Sequence, residues 1–455
     1  MSDSRRQRLK YFGADFLSAS LAWMLFNVLR YYELAFYLGF GQLSDYMTYR
    51  VVWEVQLCIP FFWMGLYYFS GYYNRVFGKS GMEDFFTTLL SVSLGSVVLF
   101  FLIVLNDIPH SFEVYYRFFF FLFGMQFCLA YAFRAVVTAG GRRRVRRGEW
   151  VVRTLIIGGG ETVEGICRRL SATGYRVQAC LGEDEIDSRL SSILSGEQID
   201  EIIVAADSTD YDRLPSLLYS LYECKCPLKI VASKPGGPLS RARLTNIRGL
   251  PLVDVTDNNF SEAGKNIKLW MDKIVASLAM VLLLPLYIYI MYRVRRDSPG
   301  PMIFRQERTG YRGKPFMMYK FRTMFVDAEE NGPLLASDND ARVTPFGRLM
   351  RKYRLDELPQ FWNVIRGDMS LVGPRPERKF FIDQIVERAP WYYLLHNVRP
   401  GITSLGMVKY GYASNVDQML ERLEYDMLYY ENMSLAFDLT ILAYTLRTVF
   451  TGKGV

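Results

Sequence analysis

The chain has 455 residues, 51% of them hydrophobic and 15% aromatic, with a mean hydropathy of +0.06 and a formal net charge of +8. That is too apolar for an ordinary soluble protein and implies a membrane protein with substantial soluble parts, about three domains by length. The charge does not point to nucleic acid: no such motif occurs, and Lys and Arg lie beside apolar segments, which suits anionic headgroups and phosphorylated substrates. Six scattered cysteines indicate neither a disulfide framework nor a zinc site.

The start carries Arg5, Arg6, Arg8 and Lys10 and runs into an apolar stretch without a small-residue cleavage site, so it reads as an anchor. Four stretches, 11–32, 51–72, 86–105 and 115–137, each have the roughly 20 residues that cross a bilayer. Basic residues crowd the N-terminus, recur at Arg75 and Lys79, and culminate in Arg142, Arg143, Arg144, Arg146 and Arg147. Counting positive charge then places both ends of a four-helix transmembrane bundle, residues 1–140, in the cytoplasm.

From residue 150 to 258 short β-rich runs at 153–157, 175–180, 201–205 and 228–232 alternate with helical ones, predicting a Rossmann-like parallel α/β module. Its first turn, Gly158-Gly159-Gly160-Glu161-Thr162-Val163, sits where a dinucleotide fingerprint would, but Val163 replaces the third glycine. Glu183 and Asp184 follow the second strand, where a ribose-binding acid is expected. Ligand binding and a purely structural or regulatory role both remain open for this module.

Residues 265–455 form the third expected domain, a mixed α/β unit. It opens with a fifth apolar stretch, 274–292, flanked by Lys265, Lys268 and Lys273 before and Arg293, Arg295 and Arg296 after. Basic flanks on both sides keep both ends cytoplasmic, and Pro285 removes a helix hydrogen bond near the middle. The prediction is a re-entrant helix-break-helix; an ordinary kinked fifth span would put the C-terminal part outside the cell. Near the end Leu435, Leu439, Ile441, Leu442, Tyr444, Leu446 and Phe450 make an amphipathic stretch that fits the core or the membrane surface equally.

Two adjacent carboxylates, Asp356 and Glu357, stand between Arg348, Arg351, Lys352 and Arg354 and a short helix in which Leu358, Phe361, Trp362 and Ile365 recur. On its own the pair reads as a helix N-cap and a first-turn acid. A capping carboxylate stays ionised beside free backbone N–H groups, and at a cap the two side chains can share a cavity. Around them lie Arg305, Arg308, Arg312, Lys314, Lys320, Arg322, Arg375, Arg378 and Arg399, interleaved with proline-glycine turns. Rigid turns presenting guanidinium groups suit a diphosphate, and phosphate beside paired carboxylates implies phosphoryl transfer with Mg²⁺.

Six ordered motifs carry a resemblance. They are Asp297-Ser298-Pro299-Gly300-Pro301, Phe304-Arg305-Gln306-Glu307-Arg308-Thr309-Gly310, Tyr319-Lys320-Phe321-Arg322-Thr323-Met324, Leu355-Asp356-Glu357-Leu358-Pro359-Gln360, Gly367-Asp368-Met369-Ser370-Leu371-Val372-Gly373-Pro374-Arg375-Pro376 and Val398-Arg399-Pro400-Gly401-Ile402-Thr403. Over residues 265–455 the chain resembles the bacterial sugar transferases, the polyprenyl-phosphate sugar-phosphate transferases with a monotopic core. Its four leading spans and α/β module look like the large polytopic branch, which begins exopolysaccharide, capsule and O-antigen repeat units.

The resemblance implies a two-step exchange at the cytoplasmic face of the bacterial inner membrane. Asp356 would attack the sugar-bearing phosphorus of a UDP-sugar, release UMP and carry the phosphosugar, and undecaprenyl phosphate would then accept it. Glu357 would hold Mg²⁺ with Asp356 or handle a proton. Arg351 would grip phosphate, Arg375 and Arg399 would clamp substrate or frame the site, Lys320 and Arg322 would bind substrate, and Pro285 matches the family's re-entrant break. UDP-glucose and UDP-galactose are the first donors to try, and a homodimer is expected. Arg354 departs from the Ser or Thr of many relatives, and Ser404-Leu405-Gly406 departs after Thr403.

Two other classes stand beside this reading. One is a membrane-tethered NAD-dependent sugar-nucleotide epimerase or dehydratase, disfavoured because residues 151–260 hold no Tyr-x-x-x-Lys pair. The other is a non-enzymatic scaffold or sensor for polysaccharide assembly.

Overall fold

The computed structural model describes residues 3–35, 39–74, 81–102, 111–158, 160–171, 175–182, 185, 189–190, 192–193, 198–205, 217–218, 221–222, 226–231, 243–247, 250–256, 258, 260–326, 328 and 340–451. The chain divides into two compact units, one of residues 1–151 with 261–267 and one of residues 152–260 with 268–455.

In the first unit the Asp3–Arg30, Arg50–Phe69, Gly81–Leu102 and Phe112–Arg146 helices pack on one another. Trp23, Phe26, Trp63, Val92, Phe118 and Leu122 fill the space between them. Gly95 permits the contact with Trp63, since a Cβ there would lie 2.3 Å from the indole. Among the described residues three helices are long and apolar enough to cross a membrane, at Arg5–Leu34, Asp84–Leu102 and Phe112–Val145. The stretch expected over 51–72 forms the Arg50–Phe69 helix, which packs against the Asp3–Arg30 and Gly81–Leu102 helices and carries Glu54 and Gln56 in its first two turns.

Two charges are sealed inside this unit. Arg134 Nε lies 2.7 Å from Asp15 Oδ1, with both side chains 0% exposed. Arg134 Nη1 donates to Thr88, its guanidinium stacks on Tyr67 and Tyr72, and Tyr73 donates to Asp15. Such a pair is tolerated only because each polar atom finds a partner. Arg134→Met would leave Asp15 a lone buried carboxylate, expected to cost about 3–5 kcal/mol. The thermal midpoint of detergent-solubilised protein should fall accordingly, and adding Asp15→Leu should recover most of the loss.

The second unit begins with a six-stranded sheet. β1 (Val152–Ile157), β2 (Tyr175–Leu181), β3 (Glu201–Val204) and β4 (Leu228–Val231) are parallel, as their alternation with helical runs predicts. β5 (Arg243–Ile247) and β6 (Leu250–Asp254) add an antiparallel hairpin that the sequence reading passes over, in the order β2-β1-β3-β4-β6-β5. Gly158, at φ +144°, passes close to Ala205, whose carbonyl oxygen would lie 2.5 Å from an added Cβ. Gly159, Glu183 and Asp184 lie outside the described residues.

The fifth apolar stretch is two helices, Glu262–Leu282 and Leu284–Asp297, bent by 64° at Leu283. Pro285 sits in the first turn of the second helix, where its missing N–H costs nothing and the first helix cannot continue through it. The amphipathic stretch near the end is the Leu435–Thr451 helix. Ile441 is buried and Phe437 and Leu442 pack beside it, while Leu439 and Leu446 are exposed. A buried polar cluster ties this helix to the first turns after residue 267. Lys268 lies 2.7 Å from Asp438 and 3.4 Å from Asp272, Asp272 accepts from Ser370, and Tyr429 donates to Asp438 at 2.7 Å.

Candidate active site

The floor of the site is an antiparallel hairpin, β7 (Ile303–Thr309) with β8 (Pro315–Phe321), in which Phe304 pairs with Lys320 and Arg308 with Phe316. Strand alternation puts Phe304, Gln306 and Arg308 on one face with Lys320, and all four line a cavity of about 280 Å³. Beyond Phe321 the cavity also takes in Arg322 and Thr323.

A second wall comes from two three-residue strands, β9 (Ser370–Val372) and β10 (Gly401–Thr403), which run parallel. Gly373 and Gly401 let the backbones cross: a Cβ on Gly373 would lie 2.3 Å from the Arg399 carbonyl oxygen. The rigid Pro374-Arg375-Pro376 turn leaves this crossing and carries Arg375 into the cavity. The Arg375 amide donates to Asp426, which also accepts from the Gly406 amide at 3.0 Å.

The carboxylate pair is not at a helix N-cap, which corrects the sequence expectation. Asp356 and Glu357 sit in a separate 3₁₀ turn, Leu355–Glu357, and the Gln360–Arg366 helix starts only after Pro359. Residues of a 3₁₀ turn point about 120° apart, three to a turn. The two side chains therefore part company: Asp356 lines the cavity, while Glu357 turns away into a group of cations.

Lys320, Arg354 and Arg375 approach Glu357 to 3.4, 3.5 and 3.7 Å. The Tyr412 hydroxyl donates to Glu357 at 3.5 Å, and the guanidinium groups of Arg354 and Arg375 lie 5.6 and 5.1 Å from its ring. Arg354 holds a left-handed backbone at φ 55°, strain on the order of 1–3 kcal/mol that the contacts with Glu357 and Tyr412 offset. Arg354 is thus buried against Glu357 and does not face solvent.

Asp356, 8% exposed, has no hydrogen-bond or ion-pair partner among the described residues. Burial raises its carboxyl above the ordinary range, with Lys320 opposing and Glu357 adding to the rise. Burial also disfavours ionised Glu357, but Arg354, Lys320 and Arg375 outweigh it and bring that carboxyl down to about 2. The cavity lining carries seven cations, Arg308, Lys320, Arg322, Arg351, Arg375, Arg378 and Arg422, against two carboxylates, Asp356 and Glu377, a surplus of positive charge. That surplus suits a diphosphate.

The remaining predicted residues divide. Arg351 lines the cavity, its Nε donating to Thr323 at 3.0 Å, and pairs with no carboxylate among the described residues. Arg322 also reaches the lining, but its terminal nitrogens donate to the carbonyls of Ser298 and Pro299 at 2.6 and 2.8 Å. Arg399 is not in the lining: it donates to the Gly367 carbonyl at 3.0 Å and stacks on Tyr311. Pro285 belongs to the helix break. The sequence reading missed Tyr412, Glu377 and Arg422. Glu377 takes Arg422 at 2.6 Å and Arg308 at 3.3 Å behind Arg375. Glu377 could have been noticed as the acid that ends the Pro374-Arg375-Pro376 turn, whereas Tyr412 and Arg422 belong to none of the six motifs.

The sequence profile of the bacterial sugar transferases matches residues 263–452, which include every residue of this site. A UDP-glucose:undecaprenyl-phosphate glucose-1-phosphate transferase of Caulobacter vibrioides is 37% identical over 227 residues, 49% of this chain and 77% of that one. The chain belongs to the bacterial sugar transferase family. An N-acetylgalactosaminephosphotransferase of Aeromonas hydrophila, acting from UDP-N-acetylgalactosamine on undecaprenyl phosphate by its name, is 44% identical over 188 residues, 41% of this chain and 44% of that one. An uncharacterized sugar transferase of Haemophilus influenzae is 28% identical over 97% of both chains. Against the Aeromonas protein and several glucose-1-phosphate transferases, the chain spans about half of the relative's length.

For this family member the shifted carboxyl has a measurable consequence. A carboxyl whose folded pKa lies above its unfolded value stabilises the fold below the unfolded pKa and loses that contribution as pH rises through the folded one. At neutral pH ionised Asp356 therefore costs stability. Asp356→Asn is expected to raise the thermal midpoint at pH 7 and to lose that advantage in acid. A midpoint lowered at pH 7 would contradict the assignment.

Proposed function

We propose that this protein moves a sugar 1-phosphate from a UDP-sugar to undecaprenyl phosphate and releases UMP. The observation that carries the reading is the buried Asp356 carboxylate, without a hydrogen-bond or ion-pair partner among the described residues and open to a cavity whose excess of cations suits a diphosphate. An Asp356 oxygen attacks the sugar-bearing phosphorus, the bond from that phosphorus to the bridging oxygen breaks, and UMP leaves. An oxygen of the lipid phosphate then attacks the aspartyl phosphorus and frees Asp356, leaving the sugar on a lipid diphosphate. The relatives' names support both substrates.

Arg351, Lys320 and Arg375 hold the phosphates in this scheme. Glu357 fixes Lys320, Arg354 and Arg375 as they neutralise the charge that develops, so its role is positioning. Mg²⁺ fits Asp356 better than Glu357, whose oxygens are taken by cations, and no group of three or more His, Cys, Asp or Glu side chains suited to a metal occurs among the described residues. Since Mg²⁺ keeps several waters and binds through one or two carboxylates and substrate phosphates, Asp356 and the diphosphate supply enough ligands. The ion would spread negative charge on the transferred phosphoryl group.

The reaction belongs at the cytoplasmic face of the bacterial inner membrane, where the bent helix pair with basic flanks enters and returns, as a first membrane step of exopolysaccharide, capsule or O-antigen synthesis. A homodimer is part of the same proposal.

Purified protein with Mg²⁺ and undecaprenyl phosphate should release UMP, and not UDP, from one of UDP-glucose, UDP-galactose or UDP-N-acetylgalactosamine. Asp356→Ala should lose at least about 10³-fold in rate, and mass spectrometry of the wild type without lipid should find a phosphosugar on Asp356. UDP release, or turnover without any adduct, would refute the covalent scheme. For topology, a cysteine placed after Arg296 should resist an impermeant thiol reagent in intact cells; labelling there would indicate an ordinary fifth span.

A further inference from the structure

The α/β module carries two cysteines that the transfer chemistry does not use. Cys180 lies on β2 and Cys167 on the Gly160–Ser171 helix, and their sulfurs are 4.0 Å apart.

A slip in strand pairing brings them together. Tyr175 and Val177 of β2 face this helix, beside Ile156, Val163 and Ile166. Strict alternation would send Ala179 to the same face and Cys180 to the other. Between Thr154 and Leu155 the register shifts, giving β2 one extra residue. Ala179 therefore pairs with Leu155 and packs with Ile157 on the opposite face. Cys180 comes opposite Ile156, on the face that Cys167 packs against.

β2 is the edge strand of its sheet, so Cys180 is exposed to solutes, and Cys167 is half-buried beside it. The other described cysteines are placed differently. Cys58 and Cys128 lie in long helices of the first unit, and Cys226 donates to the Ile199 carbonyl at 3.9 Å. A disulfide holds its sulfurs about 2 Å apart, a gap that side-chain rotation with a small shift of the helix closes from the observed position.

We propose that Cys167 and Cys180 are a redox-responsive modification site, closing to a disulfide that staples the Gly160–Ser171 helix onto the edge strand when a small disulfide such as oxidised glutathione is the oxidant. The thiolate of one cysteine attacks a glutathione sulfur, the glutathione S–S bond breaks and one glutathione thiolate leaves. The other cysteine, as thiolate, attacks the protein sulfur of this mixed disulfide and expels the second glutathione. The two cysteines are oxidised, the glutathione disulfide is reduced to two thiols, and the two cysteine protons end on those thiols. Burial and the neighbouring Cys167 push the Cys180 thiol up to about 11, so closure speeds up as pH rises. The bond spans 13 positions, across the return from helix to strand, and restrains that edge from opening. In a reducing compartment such a bond is transient and reports the redox state.

The test uses the full-length protein in detergent, with oxidised glutathione as the probe, followed by thiol blocking, digestion and mass spectrometry. A peptide pair joined through Cys167 and Cys180 should appear, lighter by two hydrogens, and should vanish with dithiothreitol. It should form at least about tenfold faster at pH 9 than at pH 7, as the thiolate fraction grows. Amide hydrogen exchange in the Gly160–Ser171 helix should slow about threefold or more in the oxidised protein. Cys167→Ser and Cys180→Ser should each stop at glutathione on the remaining cysteine, with exchange unchanged. Recovery of Cys167 and Cys180 from the wild type as thiols, or as separate glutathione adducts, overturns the proposal, and that map decides even where a serine variant fails to fold. A joined pair that leaves helix exchange unchanged overturns the staple. None of these readouts uses sugar-phosphate transfer, so their failure leaves the transferase reading standing.

Discussion

The arrangement of the site depends on one buried anion. Glu357 gathers Lys320 from the hairpin, Arg354 from the turn before it and Arg375 from the proline-framed loop. Three like charges within one small volume repel, and without the carboxylate they would spread toward solvent. With it they stay close, and the Tyr412 ring lies near two of them. The same anion accounts for a non-glycine residue in left-handed backbone at Arg354, because that conformation turns the guanidinium back onto Glu357. Glu377 repeats the device one layer behind, holding Arg308 and Arg422 and fixing the surroundings of Arg375.

This division leaves Asp356 available. Two adjacent carboxylates in one environment would compete for the same cations and share their protons. The 3₁₀ turn separates them, so that Glu357 is held ionised by its neighbours and Asp356 is left with the cost of burial. A site that keeps one carboxylate under-compensated stores free energy that an incoming ligand can release. Long-range pairing holds this geometry in place. The β9 and β10 strands are only three residues each, and their glycine crossing fixes the loop that carries Arg375.

Polar contacts also anchor the apolar segments. The Arg134–Asp15 pair joins two long helices of the first unit without leaving an uncompensated charge. In the second unit Lys268 and Asp272 bind Asp438 and Ser370, so the helix that leads to the 64° bend is tied to the C-terminal helix and to β9. The bend is thus held to the strand pair from which the Arg375 loop departs.

Much of this was legible in the chain because it follows from local properties. Hydropathy over about 20 residues marks the long apolar helices, alternation marks the parallel strands, and a proline without an N–H marks the break at Pro285. The carboxylate pair and its cations stand out by spacing, and the six motifs identify the family. At 51–72 the expected helix forms, over Arg50–Phe69, with Arg50, Glu54 and Gln56 in its first turns. The destination of each side chain was not legible. Arg399 and Arg322 look no different from Arg375 in the sequence, yet they serve the carbonyls of Gly367, Ser298 and Pro299. Tyr412 and Arg422 enter from segments 55 and 45 residues away from the groups they meet, Glu357 and Glu377. The sequence by itself determined which charges the protein owns and which segments are helix, strand or break. Only the tertiary structure decided which charge faces which, because that depends on where distant segments cross and on which buried polar groups remain to be satisfied.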